Sequence, residues 1–322
     1  MLDIVLAVLG IVGGIIFIAI CSDLAVTHAS TLASLFGVSN LIIGVTIVSI
    51  GTDIPEIFTS IISCSLGHGN IDVGDSLGAI LNQITLVFGI LGMYRAFQVK
   101  RKEIFIIGAC LVISLIMIYS VIEKGYFTNL NAIFLIASFF FYSLITWNVT
   151  KSDKLETVDL MLTDDDANKS KPRKSKKYHA TFAFLAFGGV AISSIILVQS
   201  VITLSQALGV PEYIISFFIL SVGTSLPELA VDLTALRKKD YGIAIGDIIG
   251  SCIVDATISM AIGQALFPQA VDTARAIPTL LYAIAASFVV ILVTTARQKV
   301  DKKSGVLFIS IYGLSFLLLF LL

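Results

Sequence analysis

The chain has 322 residues, of which 57% are hydrophobic and 13% charged, whereas a soluble domain carries about 45–50% apolar and about 25% charged residues. That excess excludes a soluble globular protein, and a net charge of −1 gives no basis for a nucleic-acid partner.

Taken in chain order, apolar windows bounded by charge, glycine or proline predict ten membrane spans, at 3–21, 26–63, 71–94, 103–122, 129–148, 179–201, 204–236, 242–267, 276–296 and 304–322. The first window begins almost at once and lacks a positive n-region, so it reads as a retained span rather than a cleaved signal. Spans 2 and 7 are too long for one straight crossing of a core about 30 Å thick, and each is expected to be broken. Residues 149–178 are the one long polar stretch, with Asp164-Asp165-Asp166 followed by the basic run from Lys169 to Lys177. It reads as a flexible linker, with regulatory calcium on the aspartates or anionic lipid on the lysines as the alternative use. Nineteen of the 21 Lys and Arg residues fall in odd-numbered loops, leaving Lys124 and Arg275 on the other side. The positive-inside rule then places the linker in the cytoplasm and both termini outside, for a multi-pass protein of the cell membrane. Cys21, Cys64, Cys110 and Cys252 show no metal-ligand spacing and read as buried small residues.

Shifted by 172 residues, Gly37–Gln83 aligns on Gly209–Asp255 without a gap. Gly51-Thr52-Asp53-Ile54-Pro55-Glu56 falls on Gly223-Thr224-Ser225-Leu226-Pro227-Glu228, and Gly74-Asp75-x-x-Gly78 on Gly246-Asp247-x-x-Gly250. Hydrophobic helices match one another by chance at Ile and Leu, but not at Gly, Thr, Pro, Glu and Asp together. The loops between these segments, His68-Gly69-Asn70 and Arg237-Lys238-Lys239, differ in charge and are expected on opposite faces. The predicted fold is therefore an all-α membrane protein of ten transmembrane helices, arranged as two inverted five-helix repeats (1–148 and 179–322) around the linker 149–178, with helices 2 and 7 broken. Inverted repeats are the architecture of secondary transporters, whose sites lie where the repeats meet.

The chemistry follows from the breaks. Glycine four residues before proline weakens the helical ladder and frees carbonyls that need another partner. Ser49, Thr52, Ser221 and Thr224 add oxygens just before each break, and Glu56 and Glu228 add charge just after it. Asp53, Asp75, Asp247 and Asp255 join them with no lysine or arginine among them. Buried carboxylates of this kind need protons or a metal, and hard oxygen ligands without histidine or cysteine favour Ca²⁺ and Na⁺. Asp75 and Asp247 sit early in their spans, where an acid also suits the helix dipole, so either role is open for them. The three histidines fall at span ends. No HExxH, GxSxG or Walker pattern occurs, so the chain is not expected to be an enzyme and no resident cofactor is implied.

These residues resemble the sodium/calcium exchanger family of cation antiporters, whose two repeats carry Gly-Thr-Ser-x-Pro-Glu and Gly-Asn-x-x-Gly-Ser-x-x-x-Asn/Asp. The resemblance covers both repeats and the ten-span layout. It implies exchange of Ca²⁺ for Na⁺, with Glu56 and Glu228 as central calcium ligands helped by the Thr52 and Thr224 carbonyls. Sodium sites are implied at Ser49, Thr52, Ser221, Thr224, Ser225 and Ser251, with Asp255 and Gln83 at the middle. The first repeat departs from the family pattern: Asp53 and Ala79 replace serines, Gln83 replaces Asn or Asp, and both Gly-Asn pairs are Gly-Asp. Protons are the alternative counter-ion, and a cation channel is a further alternative, disfavoured because one chain already holds the paired site. The partners implied are Ca²⁺, Na⁺ or H⁺ and the lipid bilayer, with no protein partner.

Overall fold

The computed structural model describes residues 2–35, 49–161, 176–237, 239 and 241–320. The stretch 37–48 of the first repeat motif, the side chain of Ser49, Lys238, and the linker residues 162–175 with their aspartates and most of their lysines lie outside the described residues.

The chain is helical apart from one two-residue ladder. In order, the elements are α1 (Leu2–Leu35), α2 (Ser49–Thr52), α3 (Ile54–Ser65), α4 (Gly69–Leu81), a π-turn π1 (Asn82–Val87), α5 (Phe88–Tyr94), β1 (Phe97–Gln98), α6 (Arg101–Ile122) and α7 (Asn129–Met161). There follow α8 (Lys176–Leu208), α9 (Glu212–Ile215), π2 (Ser216–Leu220), α10 (Ser221–Thr224), α11 (Leu226–Arg237), α12 (Tyr241–Val254), π3 (Asp255–Ser259), α13 (Met260–Leu266), α14 (Thr273–Arg297), β2 (Lys299–Val300) and α15 (Lys302–Phe320). Among the described residues, seven helical stretches are long and apolar enough to cross a membrane, with Ile54–Ser65 and Asn129–Ile145 as shorter apolar helices. α7 runs on to Met161 and α8 starts at Lys176, so helix occupies both ends of the segment read as linker. Residues 151–161 are rich in Lys, Leu, Glu and Met, good helix formers that outweigh their polarity.

The windows 26–63 and 204–236 break near Pro55 and Pro227 as expected, but their first residues, 26–35 and 204–208, continue α1 and α8 instead. Asp53 (φ −80°, ψ 5°) and Ser225 (φ −83°, ψ 9°) adopt nearly the same non-helical turn. Pro55 and Pro227 cause it, because a proline has no N–H for the carbonyl four residues back and its ring collides with that carbonyl. The carbonyl so released at Gly51 accepts a hydrogen bond from the Ser22 hydroxyl of α1 at 3.3 Å.

Burial separates a centre from a periphery. In Gly69–Tyr94 83% of the most apolar window is buried, against 28% in Leu2–Ala29. Apolar side chains left on the outside, such as Phe105, Phe140, Phe184, Phe288 and Leu317, suit contact with lipid chains. Small residues let the central backbones approach: a Cβ added at Gly74 would lie 2.7 Å from the Tyr213 carbonyl oxygen, and one at Gly78 2.3 Å from that of Phe217. Gly74 and Gly78 thus seat α4 directly on α9 and π2. α1 and α8 pack against each other in a second core that includes Ile11, Ile18, Leu197 and Val201 and is joined by Ile54, Ile71, Ile215 and Leu220.

The loops sort into two groups. Phe97 pairs with Val300 and Gln98 with Lys299, and the Arg237 guanidinium lies over the Tyr94 ring at 5.9 Å, which gathers the basic loops after α5, α11 and α14. The other loops meet through His68 Nδ1 and Glu212 Oε2 at 2.7 Å, the Asp272 N–H and Asn70 Oδ1 at 2.8 Å, and a bridge between Tyr126 and Ala270.

In the first group, Asp301 accepts the Ser304 backbone N–H at 3.1 Å and both Arg297 Nη groups at 3.0 and 2.7 Å. The Ser304 N–H first, and then Arg297 and Lys299, hold this carboxyl below the usual carboxylate range. A folded-state value below the unfolded one means stability that is present at neutral pH and lost as pH falls through the folded value. Asp301→Asn is therefore expected to melt below the wild type at pH 7, with the gap narrowing below about pH 4; thermal melts across that range check it.

Candidate functional site

The site is built around the two breaks. Asp53 sits in the first turn and Glu56 in the first turn of α3; Ser225 and Glu228 hold the matching places at α11. Asp53 is fully buried, and Glu56, Glu228 and Asp255 are at most 1% exposed. Both carboxylate oxygens of Asp53, Glu56, Glu228 and Asp255 lack a hydrogen-bond partner among the described residues. A buried charged group without partners costs several kcal/mol, so eight orphaned acceptors in one region mark a place that something positive must neutralise.

The acids are also close to one another. Asp53 interacts electrostatically with Asp255, Glu56 and Asp247, Glu228 with Glu56, Asp53 and Asp247, and Asp255 with Glu56. Asp255 opens π3, and Gln83 lies in π1. A π-turn carries one residue more than the α-helical path and commonly marks a functional position. Gln83 accepts the Cys252 thiol at 3.3 Å, while its Nε2 has no partner among the described residues. Among the described residues no three His, Cys, Asp or Glu side chains are grouped so as to hold a metal ion by themselves.

Ser225 and Ser251 are buried with hydroxyls that lack partners among the described residues. Thr52 is buried directly before the first break. Thr224 stands near Glu56 and donates to Asp75 Oδ1 at 3.3 Å. The Ser221 hydroxyl turns back to its own helix, donating to the Phe217 carbonyl. Asp75 is buried within electrostatic reach of Glu56, Asp255 and Asp72. Asp247, 7% exposed, interacts electrostatically with Asp53 and Glu228.

Two further acids belong to this region. Asp232 is fully buried and Asp72 is 1% exposed. Asp72 is held by the Gln264 amide at 2.9 Å and the Cys64 thiol at 3.4 Å. Helical spacing was the available signal: Asp232 is one turn beyond Glu228 and Asp72 one turn before Asp75, hence on shared faces.

The sodium/calcium exchanger protein family model matches residues 6–148 and 178–321. The chain belongs to the sodium/calcium exchanger family. It is a multi-pass membrane antiporter of the Ca²⁺/cation class rather than an enzyme, and that family transports Ca²⁺ and Na⁺ across membranes. The membrane protein MJ0091 of Methanocaldococcus jannaschii is 25% identical over 300 residues, 93% of each chain. The inner membrane protein YrbG of Escherichia coli is 27% identical over 267 residues, 80% of this chain and 79% of that one. A solved structure of the sodium-calcium exchanger NCX_Mj shares the fold, with a TM-score of 0.62 at 24% identity, over 97% of this chain and 98% of the other.

Proposed function

We propose that this exchanger moves Ca²⁺ against Na⁺ by alternating access, with the carboxylates at the two breaks as the shared ion site. The observation that carries the reading is the set of buried oxygens of Glu56, Glu228, Asp53 and Asp255 that have no hydrogen-bond partner among the described residues. Ten spans in two inverted five-helix repeats complete it: the matched turns at Asp53 and Ser225 and the sorting of basic and non-basic loops into separate groups support that arrangement. The basic group, with the linker, is cytoplasmic on this reading, and both termini are outside.

Glu56 and Glu228 supply two negative charges, which one Ca²⁺ neutralises; Thr52 and Thr224 carbonyls and a carbonyl or hydroxyl from the partner half fill the remaining positions of a six- to eight-oxygen shell. Na⁺ ions occupy overlapping positions at Ser49, Thr52, Ser221, Thr224, Ser225 and Ser251, with Asp53, Gln83 and Asp255 between them. Because the same carboxylates serve both cargoes, occupancy is exclusive. A bare cluster of negative charge is strongly disfavoured at low dielectric, so the α1 and α8 pair shifts across the site only when it is neutralised, and the two fluxes are coupled.

The test is ⁴⁵Ca²⁺ uptake into proteoliposomes under an outward Na⁺ gradient, compared with an outward H⁺ gradient. Na⁺ should drive uptake; uptake driven by protons alone would reject the sodium reading. One observation favours proton exchange as the second reading: the first repeat places the titratable carboxylate of Asp53 where the second has Ser225. Asp53→Ser separates them. With Na⁺ as counter-ion it should raise the half-saturating Na⁺ concentration several-fold and leave the maximal rate close to wild type, whereas loss of an H⁺-driven flux would assign the proton to Asp53.

A further inference from the structure

Asp232 does not fit the exchange site already described. It lies one turn beyond Glu228 on α11, toward Arg237, and is fully buried. Neither of its oxygens has a hydrogen-bond partner among the described residues. The acid it interacts with is Asp247 on α12, whose Oδ2 is also buried without a partner among the described residues. Two ionised carboxylates are acceptors only and cannot satisfy one another.

The other half of the molecule places an acid that is held on one oxygen near the related position. By the 172-residue register Asp232 corresponds to Ser60, and Asp72 to Ala244. Asp72 Oδ2 is held by an amide and a thiol, its Oδ1 having no partner among the described residues, and the Ser60 hydroxyl accepts the Gly263 N–H at 3.1 Å. Side chains of the chain itself thus hold one oxygen of Asp72, while neither oxygen of Asp232 has a hydrogen-bond partner among the described residues.

We propose that Asp232 and Asp247 form a second cation site, a divalent-ion station between the exchange site and the Arg237 end of α11. Two carboxylates balance one divalent ion and supply up to four oxygens; water completes the shell, as is usual for Ca²⁺. Asp247, 7% exposed where Asp232 is 0%, gives a hydrated ion its access. Asp247 also interacts with Asp53 and Glu228, so an ion held here is one step from the exchange site. Binding at this station stands independently of the exchange reading; only its place on the transport path rests on it.

The experiment is calorimetric titration of Ca²⁺ into the purified full chain in detergent. Wild type should bind two Ca²⁺, and Asp232→Ser, which installs the residue present at the related position, should bind one. Asp247→Asn should also bind one, and reads the same site if Asp232→Ser does not yield folded protein. Titrations of both variants indistinguishable from wild type would overturn the proposal, as would loss of all binding in Glu228→Gln, since the station would then have no existence apart from the exchange site. Two Ca²⁺ retained in Glu56→Gln and Glu228→Gln, with one lost in Asp232→Ser, would uphold the station and reject the exchange-site assignment.

Discussion

Glu56→Gln and Glu228→Gln should each reduce ⁴⁵Ca²⁺ uptake in proteoliposomes at least about 100-fold. Each substitution keeps side-chain shape and removes one of the two charges placed beside the breaks. At a Ca–O distance of about 2.4 Å and an effective dielectric of about 20, a single carboxylate attracts Ca²⁺ with about 14 kcal/mol before desolvation is subtracted. If less than half of that is retained as net binding, about 3 kcal/mol, the loss is already about 100-fold. The apo protein should move in the opposite direction. Both oxygens of each glutamate are buried without partners among the described residues, so an uncharged amide relieves repulsion, and the variants should melt above wild type in Ca²⁺-free buffer. A site of this kind trades stability for function. Uptake at wild-type rate in both variants would remove the glutamates from the site.

Gly263→Val should damage the protein without touching an ion. A Cβ at Gly263 would lie 2.3 Å from the Ser60 carbonyl oxygen, a backbone atom that cannot rotate aside. Relieving the overlap forces α13 and α3 apart by about 1 Å, and overpacking of this severity costs about 3 kcal/mol. It also breaks the bond from the Gly263 N–H to the Ser60 hydroxyl. Ser60 is one helical turn from Glu56, so the displacement carries the glutamate with it, and transport should fall together with the melting temperature. Gly188→Val is the control, because nothing lies within 4 Å of a Cβ there and only the intrinsic helix preference changes, by a few tenths of a kcal/mol. Equal melting of the two variants would show that the close approach of α13 and α3 does not matter.

The parts of the fold and site that could be read from the sequence are those where chemistry repeats. Gly51 and Pro55 announce a break in an apolar span, and their recurrence at Gly223 and Pro227 identifies both breaks. Gly74 and Gly78 were legible as a motif, but their work, admitting the backbone of Tyr213 and Phe217, is a property of a neighbour distant in sequence. The π-turns at Asp255 and Gln83 left no trace in composition, because a π-turn differs from an α-helix in hydrogen-bond register rather than in residue type. Asp72 and Asp232 were missed for a different reason. A comparison of the two halves rewards identity, and these acids face alanine and serine in the opposite copy. The ends of the polar segment 149–178 were misleading in the same physical sense: polarity signals solvent, and a solvated helix is polar too.

Two contacts of α1 bear on the level at which the breaks stand. A Cβ at Gly51 would touch Val26, and one at Gly223 would touch Ile15, so a single helix leans on both breaks. Val26 and Ile15 are 11 residues apart, about 16 Å along a helix axis. Each glutamate follows its glycine by five residues, about 7.5 Å of rise. With the two halves running in opposite directions, as proposed, the two rises converge and use up about 15 Å of that interval. On that proposal Glu56 and Glu228 are brought toward a common level, and α1 acts as a ruler: the spacing of its side chains, rather than any contact with the ion, is what the two carboxylates are measured against.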